Sequence, residues 1–240
     1  MTIKDPLLVI QCGNTFPEIF QAHGDFDQWF LKVIASLEGE AVVYNAHKDP
    51  VAPDFMRYSG VLITGSPAMV TDRAPWSERL AGALKVSVGQ GVPILGVCYG
   101  HQLLAHALGG EVDYQAGGRE IGSLRLTLTP EAASDPLFGT VQGDFYAHLT
   151  HSQSVVKLPV GATLLASSSR VQVQAVHFSH ACWGVQFHPE FDEVIMAQYL
   201  NAFRETIPVS LRNHLGPHPC PGARAVLERF ISGCLKGDWR

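Results

Sequence analysis

Pro93-Ile94-Leu95-Gly96-Val97-Cys98-Tyr99-Gly100-His101-Gln102 joins two unlike patterns near the middle of the chain. A short apolar run of strand type, residues 93–97, passes through a cysteine flanked by glycines. It continues into apolar residues at helical spacing (Leu103, Leu104, Ala107 and Leu108), closed by Gly109-Gly110. Gly-x-Cys-x-Gly at such a junction is the pattern of a nucleophile elbow, a tight strand-to-helix turn. The glycines relieve crowding around a strained backbone. The turn lifts the sulfur out of the sheet and sets it near a helix N-terminus, whose partial positive charge favours thiolate. The competing reading is an inert buried cysteine in a glycine-rich turn, and only the rest of the sequence can decide between them.

Upstream the same alternation repeats. Residues 7–10 form an apolar run ending at Cys12-Gly13-Asn14, and Phe26, Trp29, Phe30, Val33 and Ile34 recur at helical spacing. Residues 41–44 and 60–64 read as strands, the second ending at Gly65-Ser66-Pro67; Trp76, Leu80, Ala83 and Leu84 predict a helix. Apolar strands separated by helices predict a parallel sheet covered on both faces. Ligands bind such sheets beyond the carboxyl ends of the strands, where Cys12, Gly65-Ser66-Pro67 and Cys98 lie. Downstream the character changes. Residues 124–129, 147–150, 163–167, 171–178 and 182–187 read as strands joined in part by short loops, which predicts antiparallel pairs. Helices follow at 194–203 and 223–234, with 208–221 as a surface connection.

Composition bounds the function. The chain has 240 residues, 46% hydrophobic and 16% charged, enough apolar material for a substantial core. Net charge is -5 and no basic tract occurs, so no nucleic-acid partner is expected. The run at 7–10 is too short for a signal-peptide core, and no stretch is long and apolar enough for a bilayer, so the expectation is a cytoplasmic protein with no membrane partner. Five scattered cysteines without a Cys-x-x-Cys pair argue against a disulfide framework and a structural zinc site.

A cysteine nucleophile needs a base, and the base an orienting group. Of eleven histidines, His188 has the setting, in Trp183-Gly184-Val185-Gln186-Phe187-His188-Pro189-Glu190. It ends a strand, Pro189 fixes a turn, and Glu190 is placed to reach the imidazole and hold its tautomer. His101, His106, His148 and His177 fall inside helix or strand patterns and read as structural.

The elbow together with the distant Gly-x-Gln-Phe-His-Pro-Glu resembles the class I (triad-type) glutamine amidotransferases, over roughly residues 7–203. The resemblance implies a flavodoxin-like α/β fold, a twisted mixed sheet flanked by helices. It implies Cys98 as nucleophile, His188 as general base and acid, and Glu190 as orienter. Thr64-Gly65-Ser66-Pro67 resembles the family's Gly-Gly-Pro oxyanion loop, with serine replacing a glycine; Ser66 and the Tyr99 amide would hold the oxyanion. Gly65, Gln102, Ser152 and Gln153 would line the substrate, the last two through the Thr150-His151-Ser152-Gln153 loop. Gly118-Arg119-Glu120-Ile121-Gly122 resembles a stretch near the glutaminase site of GMP synthases, and reads equally as a charged hairpin tip. Residues 1–205 would be the amidotransferase domain and 206–240 a helical extension of it, with Trp239 a candidate anchor. No metal or nucleotide cofactor is implied. The sequence lacks a P-loop and the Ser-Gly-Gly-x-Asp-Ser motif of the GMP synthase pyrophosphatase domain, so a complete synthase is not expected. Three readings stay open: a glutamine hydrolase, alone or with a separate synthase subunit; a γ-glutamyl peptide hydrolase with the same triad; and a non-catalytic module on this fold. A homo-oligomer stays open too.

Overall fold

The structure, a computed structural model, describes residues 5–209 and 215–239. Among the described residues nine strands form one sheet in the order β2-β1-β3-β4-β11-β10-β9-β6-β7. The first four are β1 (Leu7–Gln11), β2 (Ala41–Asn45), β3 (Val61–Ile63) and β4 (Ile94–Val97), and all pair in parallel. Next to β4 lies β11 (Cys182–Val185), also parallel to it. Beyond it β10 (Ala175–Ser179), β9 (Thr163–Ser167), β6 (Glu120–Leu128) and β7 (Phe145–His151) run antiparallel to their neighbours. Strand β11 is thus the pivot between a parallel and an antiparallel half. A separate two-stranded ribbon pairs β5 (Glu111–Tyr114) with β8 (Gln153–Lys157).

Period-two alternation divides the core. Leu7, Val9, Leu95 and Val97 pack on one side with α2 (Phe26–Ser36) and α6 (Pro221–Lys236). Leu8, Ile10, Ile63 and Ile94 pack on the other with α3 (Pro75–Gly89) and α4 (Tyr99–Ala107). Every residue of β1 is buried, the mark of a strand covered on both faces. Proline opens α1 (Pro17–His23), α3 and α6, where its missing N–H costs no hydrogen bond. Helix α2 instead starts on a capping box between Asp25 and Gln28. Helix α5 (Glu193–Ala202) is capped by Asp192 through the Ile195 amide at 2.8 Å.

The expected strands at 60–64, 171–178 and 182–187 are shorter, at Val61–Ile63, Ala175–Ser179 and Cys182–Val185. Helix α1 and the ribbon β5–β8 lie in stretches where polar residues interrupt the period. Trp239 is buried, donates to the Phe230 carbonyl at 2.9 Å and packs edge-on against Trp183 at 5.1 Å. Gly233 makes the room, since a Cβ there would meet the Trp239 ring at 2.2 Å. Of the 208–221 connection, residues 210–214 lie outside the described residues; Pro208 and Val209 are exposed, and Leu215 packs on Gly122.

Candidate active site

Parallel register brings the two halves of the predicted dyad together. Val97 pairs with Val185, so the residues that follow β4 and β11 emerge side by side at the same sheet edge. Cys98 is the first of them, its amide donating to the Val185 carbonyl at 2.8 Å. Its backbone lies at φ 51°, ψ -101°, outside the left-handed helical well, and a non-glycine residue persists there only where its surroundings over-determine it. Those surroundings are the glycines. A Cβ on Gly96 would meet the Gly100 carbonyl oxygen at 2.5 Å, and one on Gly100 would meet the Ile63 carbonyl oxygen at 2.6 Å. The flanking glycines let β4, α4 and β3 approach this closely, and neither needs a positive φ. The first amides of α4, Tyr99 and Gly100, have no partner within their own helix and point toward the turn.

His188 follows β11 and is fixed on all sides. Its amide donates to the His148 carbonyl at 2.8 Å, and its Nδ1–H donates to Glu190 Oε1 at 2.7 Å. The ring stacks on Phe191 at 4.1 Å, with the Phe26 ring 6.1 Å away and itself 6.4 Å from Phe191. Its Nε2 is buried and has no hydrogen-bond partner among the described residues. Burial by itself would lower the pKa, but the charge of Glu190 and the neighbouring Cys98 outweigh it and push it up to about 10. Glu190 Oε2 also lacks a partner, and Arg224 donates to the Glu190 backbone carbonyl at 3.3 Å. Cys98 Sγ lies 4.0 Å from the Thr150 carbonyl oxygen.

These groups face a cavity of about 280 Å³ lined by Ser66, Cys98, Tyr99, Gln102, Ser152, Gln153 and His188, all expected from sequence, and by Thr15, Phe16, Met69, Arg119, Tyr199 and Phe203 among others. Gly65 stands behind His188: a Cβ there would meet the imidazole Cε1 at 2.9 Å. The Ser66 hydroxyl turns back to accept from the Ala68 amide at 3.1 Å, and Gly13 leaves the space it occupies. Serine at this position therefore leaves the backbone of the loop free. Gln102 donates to the Gln153 carbonyl at 2.8 Å and to Gln186 at 3.0 Å, while Gln153 donates to Thr71 at 2.6 Å. The side-chain donors of both glutamines are thus taken up within the cavity wall, tying α4, β8 and the segment after the Ser66 loop together.

Behind the Thr150–Gln153 loop lies a buried polar network that the sequence did not single out as a unit. Glu120 accepts from His151 Nε2–H at 3.0 Å, from Ser168 at 2.6 Å and from Gln174 at 2.6 Å. Burial would raise the Glu120 pKa, yet the hydrogen bonds and charge of His151, with Ser168 and Gln174, hold it below the ordinary glutamate value. Arg119, one residue earlier, turns the other way into the cavity. Its guanidinium lies 4.0 Å above the Phe203 ring, with a 3.5 Å contact to Thr150 Oγ1. The 118–122 stretch is therefore part cavity wall and part network, and not a solvated hairpin tip. Phe26, Tyr199 and Phe203 were legible only as helix core.

No disulfide joins the described cysteines, and burial raises the pKa of Cys12, Cys182 and Cys220, the last to about 12. His101, His106, His148 and His177 sit in helices and strands and do not line the cavity: His177 pairs with Asp135 at 2.8 Å and His148 with Ser123 at 3.0 Å. Among the described residues no group of three or more His, Cys, Asp or Glu is arranged to hold a metal ion, and no helix is long and apolar enough to cross a membrane.

A doubly wound sheet with a strained cysteine elbow beside a buried His–Glu pair defines an α/β protein of the nucleophile-elbow type. The family model described as "Glutamine amidotransferase class-I" matches residues 19–203, and the chain belongs to that family. A glutamine-hydrolyzing GMP synthase of Acetivibrio thermocellus is 33% identical over 90% of this chain and 36% of its own length. One subunit of the glutamine-hydrolyzing GMP synthase of Methanocaldococcus jannaschii is 36% identical over 55% of this chain and 64% of its own. The chain thus spans about a third of the first relative and less than two thirds of the second. The crystal structure of a glutamine amidotransferase from Methylobacillus flagellatus shares the fold, with a TM-score of 0.76 at 22% identity over 99% of this chain and 96% of that one.

Proposed function

We propose that the protein hydrolyses the side-chain amide of glutamine to glutamate and ammonia through Cys98, His188 and Glu190. The observation that carries this reading is the juxtaposition of an elbow cysteine with a buried histidine whose Nδ1–H is held by Glu190 at 2.7 Å, leaving Nε2 unpartnered beside the cavity. In this reading the Cys98 sulfur attacks the carboxamide carbon. The carbonyl oxygen takes the negative charge against backbone amides of Ser66 and Tyr99, each such donor contributing roughly 3 kcal/mol to the transition state. His188 gives its proton to the departing nitrogen, and the C–N bond breaks to leave a γ-glutamyl thioester and ammonia. His188 then takes a proton from water, whose oxygen attacks the thioester carbon; the C–S bond breaks and glutamate leaves. The Glu190 carboxylate holds the ring's tautomer and stabilises its charged form throughout.

The archaeal relative, named as one subunit of a GMP synthase, supports passage of the ammonia to a separate synthase-type partner. The test is ammonia and glutamate release from glutamine by the purified protein, with Cys98→Ala as control. Cys98-dependent release is expected; release unchanged in Cys98→Ala would sink the proposal.

A further inference from the structure

The charges around the cavity are one-sided. Arg119 is half-buried at the wall and pairs with no carboxylate: its contacts are the Phe203 face at 4.0 Å and the Thr150 hydroxyl at 3.5 Å. Among the described residues no Asp or Glu side chain lines the cavity, and the residues outside them (1–4, 210–214 and 240) include no acid. Glu190 is engaged on the far ring nitrogen of His188. A zwitterionic amino acid bound here finds a guanidinium for its carboxylate. Its ammonium would meet only neutral oxygens, such as the Thr15 and Tyr199 hydroxyls, which already bond each other at 2.7 Å, and would share the space with the cations of Arg119 and His188. A half-buried arginine without a partner at a binding wall is suited to a carboxylate, which its planar fork can hold in a bidentate pair.

We propose that Arg119 is the carboxylate anchor of this site, and that the substrate class is a carboxylate-bearing ω-amide whose free α-ammonium is not required for recognition. This rests on the amide-hydrolase reading above and deepens it. Three compounds separate the charges: glutamine carries both, glutaramate keeps the carboxylate and amide without the amine, and 4-aminobutanamide keeps the amine and amide without the carboxylate. Their kcat/KM values on the whole chain are expected to place glutaramate within about threefold of glutamine and 4-aminobutanamide about 100-fold lower, since a site built to pair a charged group rejects the analogue lacking it. Arg119→Met is expected to lower kcat/KM for glutamine and glutaramate about 100-fold, chiefly through KM, and to erase the preference over 4-aminobutanamide; Arg119→Lys restores part of it. Binding of the same compounds to Cys98→Ala, measured by calorimetry, should give the same order. Loss of about 100-fold on glutaramate relative to glutamine, in turnover or in binding, would overturn the inference, as would an Arg119→Met variant that keeps the carboxylate preference. Binding in the expected order without any turnover would leave this inference standing and remove the hydrolase reading beneath it.

Discussion

The parallel half of the sheet and the antiparallel half build one cavity by different means. In the parallel half, apolar strands covered on both faces lead into Cys98 and His188 at their carboxyl ends, and the β4–β11 register places the two side by side. In the antiparallel half, β6 and β7 supply a wall held by buried charge, with Glu120 bound by His151, Ser168 and Gln174. Hydrophobic burial is non-directional and sets elements against each other; the hydrogen-bonded network fixes individual side chains, and failing to satisfy it is costly. Under the proposed function, the comparison teaches that chemistry and recognition are held apart in this fold, and it can be broken from either side.

The largest effect belongs to the parallel half. His188→Ala should lower kcat about 10⁴- to 10⁶-fold, and Glu190→Ala about 10²- to 10⁴-fold, because the imidazole moves the protons while the carboxylate only positions and stabilises it. Steady-state kinetics on glutamine checks the order, and equal losses would give Glu190 a larger role than an orienter. In the antiparallel half, Glu120→Gln should cost stability before chemistry. It removes the charge from a fully buried site and leaves His151, Ser168 and Gln174 short of an acceptor; denaturant unfolding is expected to show a loss of about 2–4 kcal/mol. A loss below about 0.5 kcal/mol would show that the wall does not depend on the network.

How much of this could be read from the sequence follows the same division. Apolar runs and glycine-flanked turns announce the parallel half, because burial on two faces leaves an unmistakable composition. The elbow and His-Pro-Glu were legible because a cysteine nucleophile with its base and orienter would require those residue types in those settings. The network was not. Glu120 and His151 lie 31 positions apart and look like ordinary polar residues until β6 and β7 pair Glu120 with His151 directly. Arg119 was visible only within a resembling stretch, since what makes it notable is the lack of a partner in three dimensions. Trp239 needed the left-handed turn at Gly237, just past α6, before Gly233 could receive it.

Acidification probes the core beneath both halves. Burial lowers the pKa of His101 to about 3, helped by repulsion from His151, and burial lowers that of His148 to about 4. Each is neutral when folded and takes up a proton near pH 6.5 when unfolded. The unfolded state therefore binds more protons between pH 6.5 and about 4, and stability falls as pH falls through that window. The slope is at most about 1.4 kcal/mol per pH unit for each histidine. His188, raised to about 10, stays protonated in the folded state throughout, so its opposing slope lies mainly above pH 6.5 and fades below it; Glu120 and Asp135, both lowered, add to the loss below about pH 4.5. Unfolding of wild type and His101→Leu across pH 4–7 should show a shallower slope in the variant; parallel curves would remove His101 from the account. The smallest effect is Ser66→Gly. The hydroxyl turns into its own loop, so kcat/KM should change by less than about threefold. A tenfold change would mean that the serine takes part beyond its backbone.

The central claim is that Cys98 forms the covalent intermediate. Acid quenching of the protein during turnover of glutamine, followed by peptide mass spectrometry, tests it most directly. A γ-glutamyl adduct on the peptide containing Cys98, absent in Cys98→Ala, is the predicted result. Ammonia release that continues in Cys98→Ala, with no adduct on any cysteine of either protein, would contradict it.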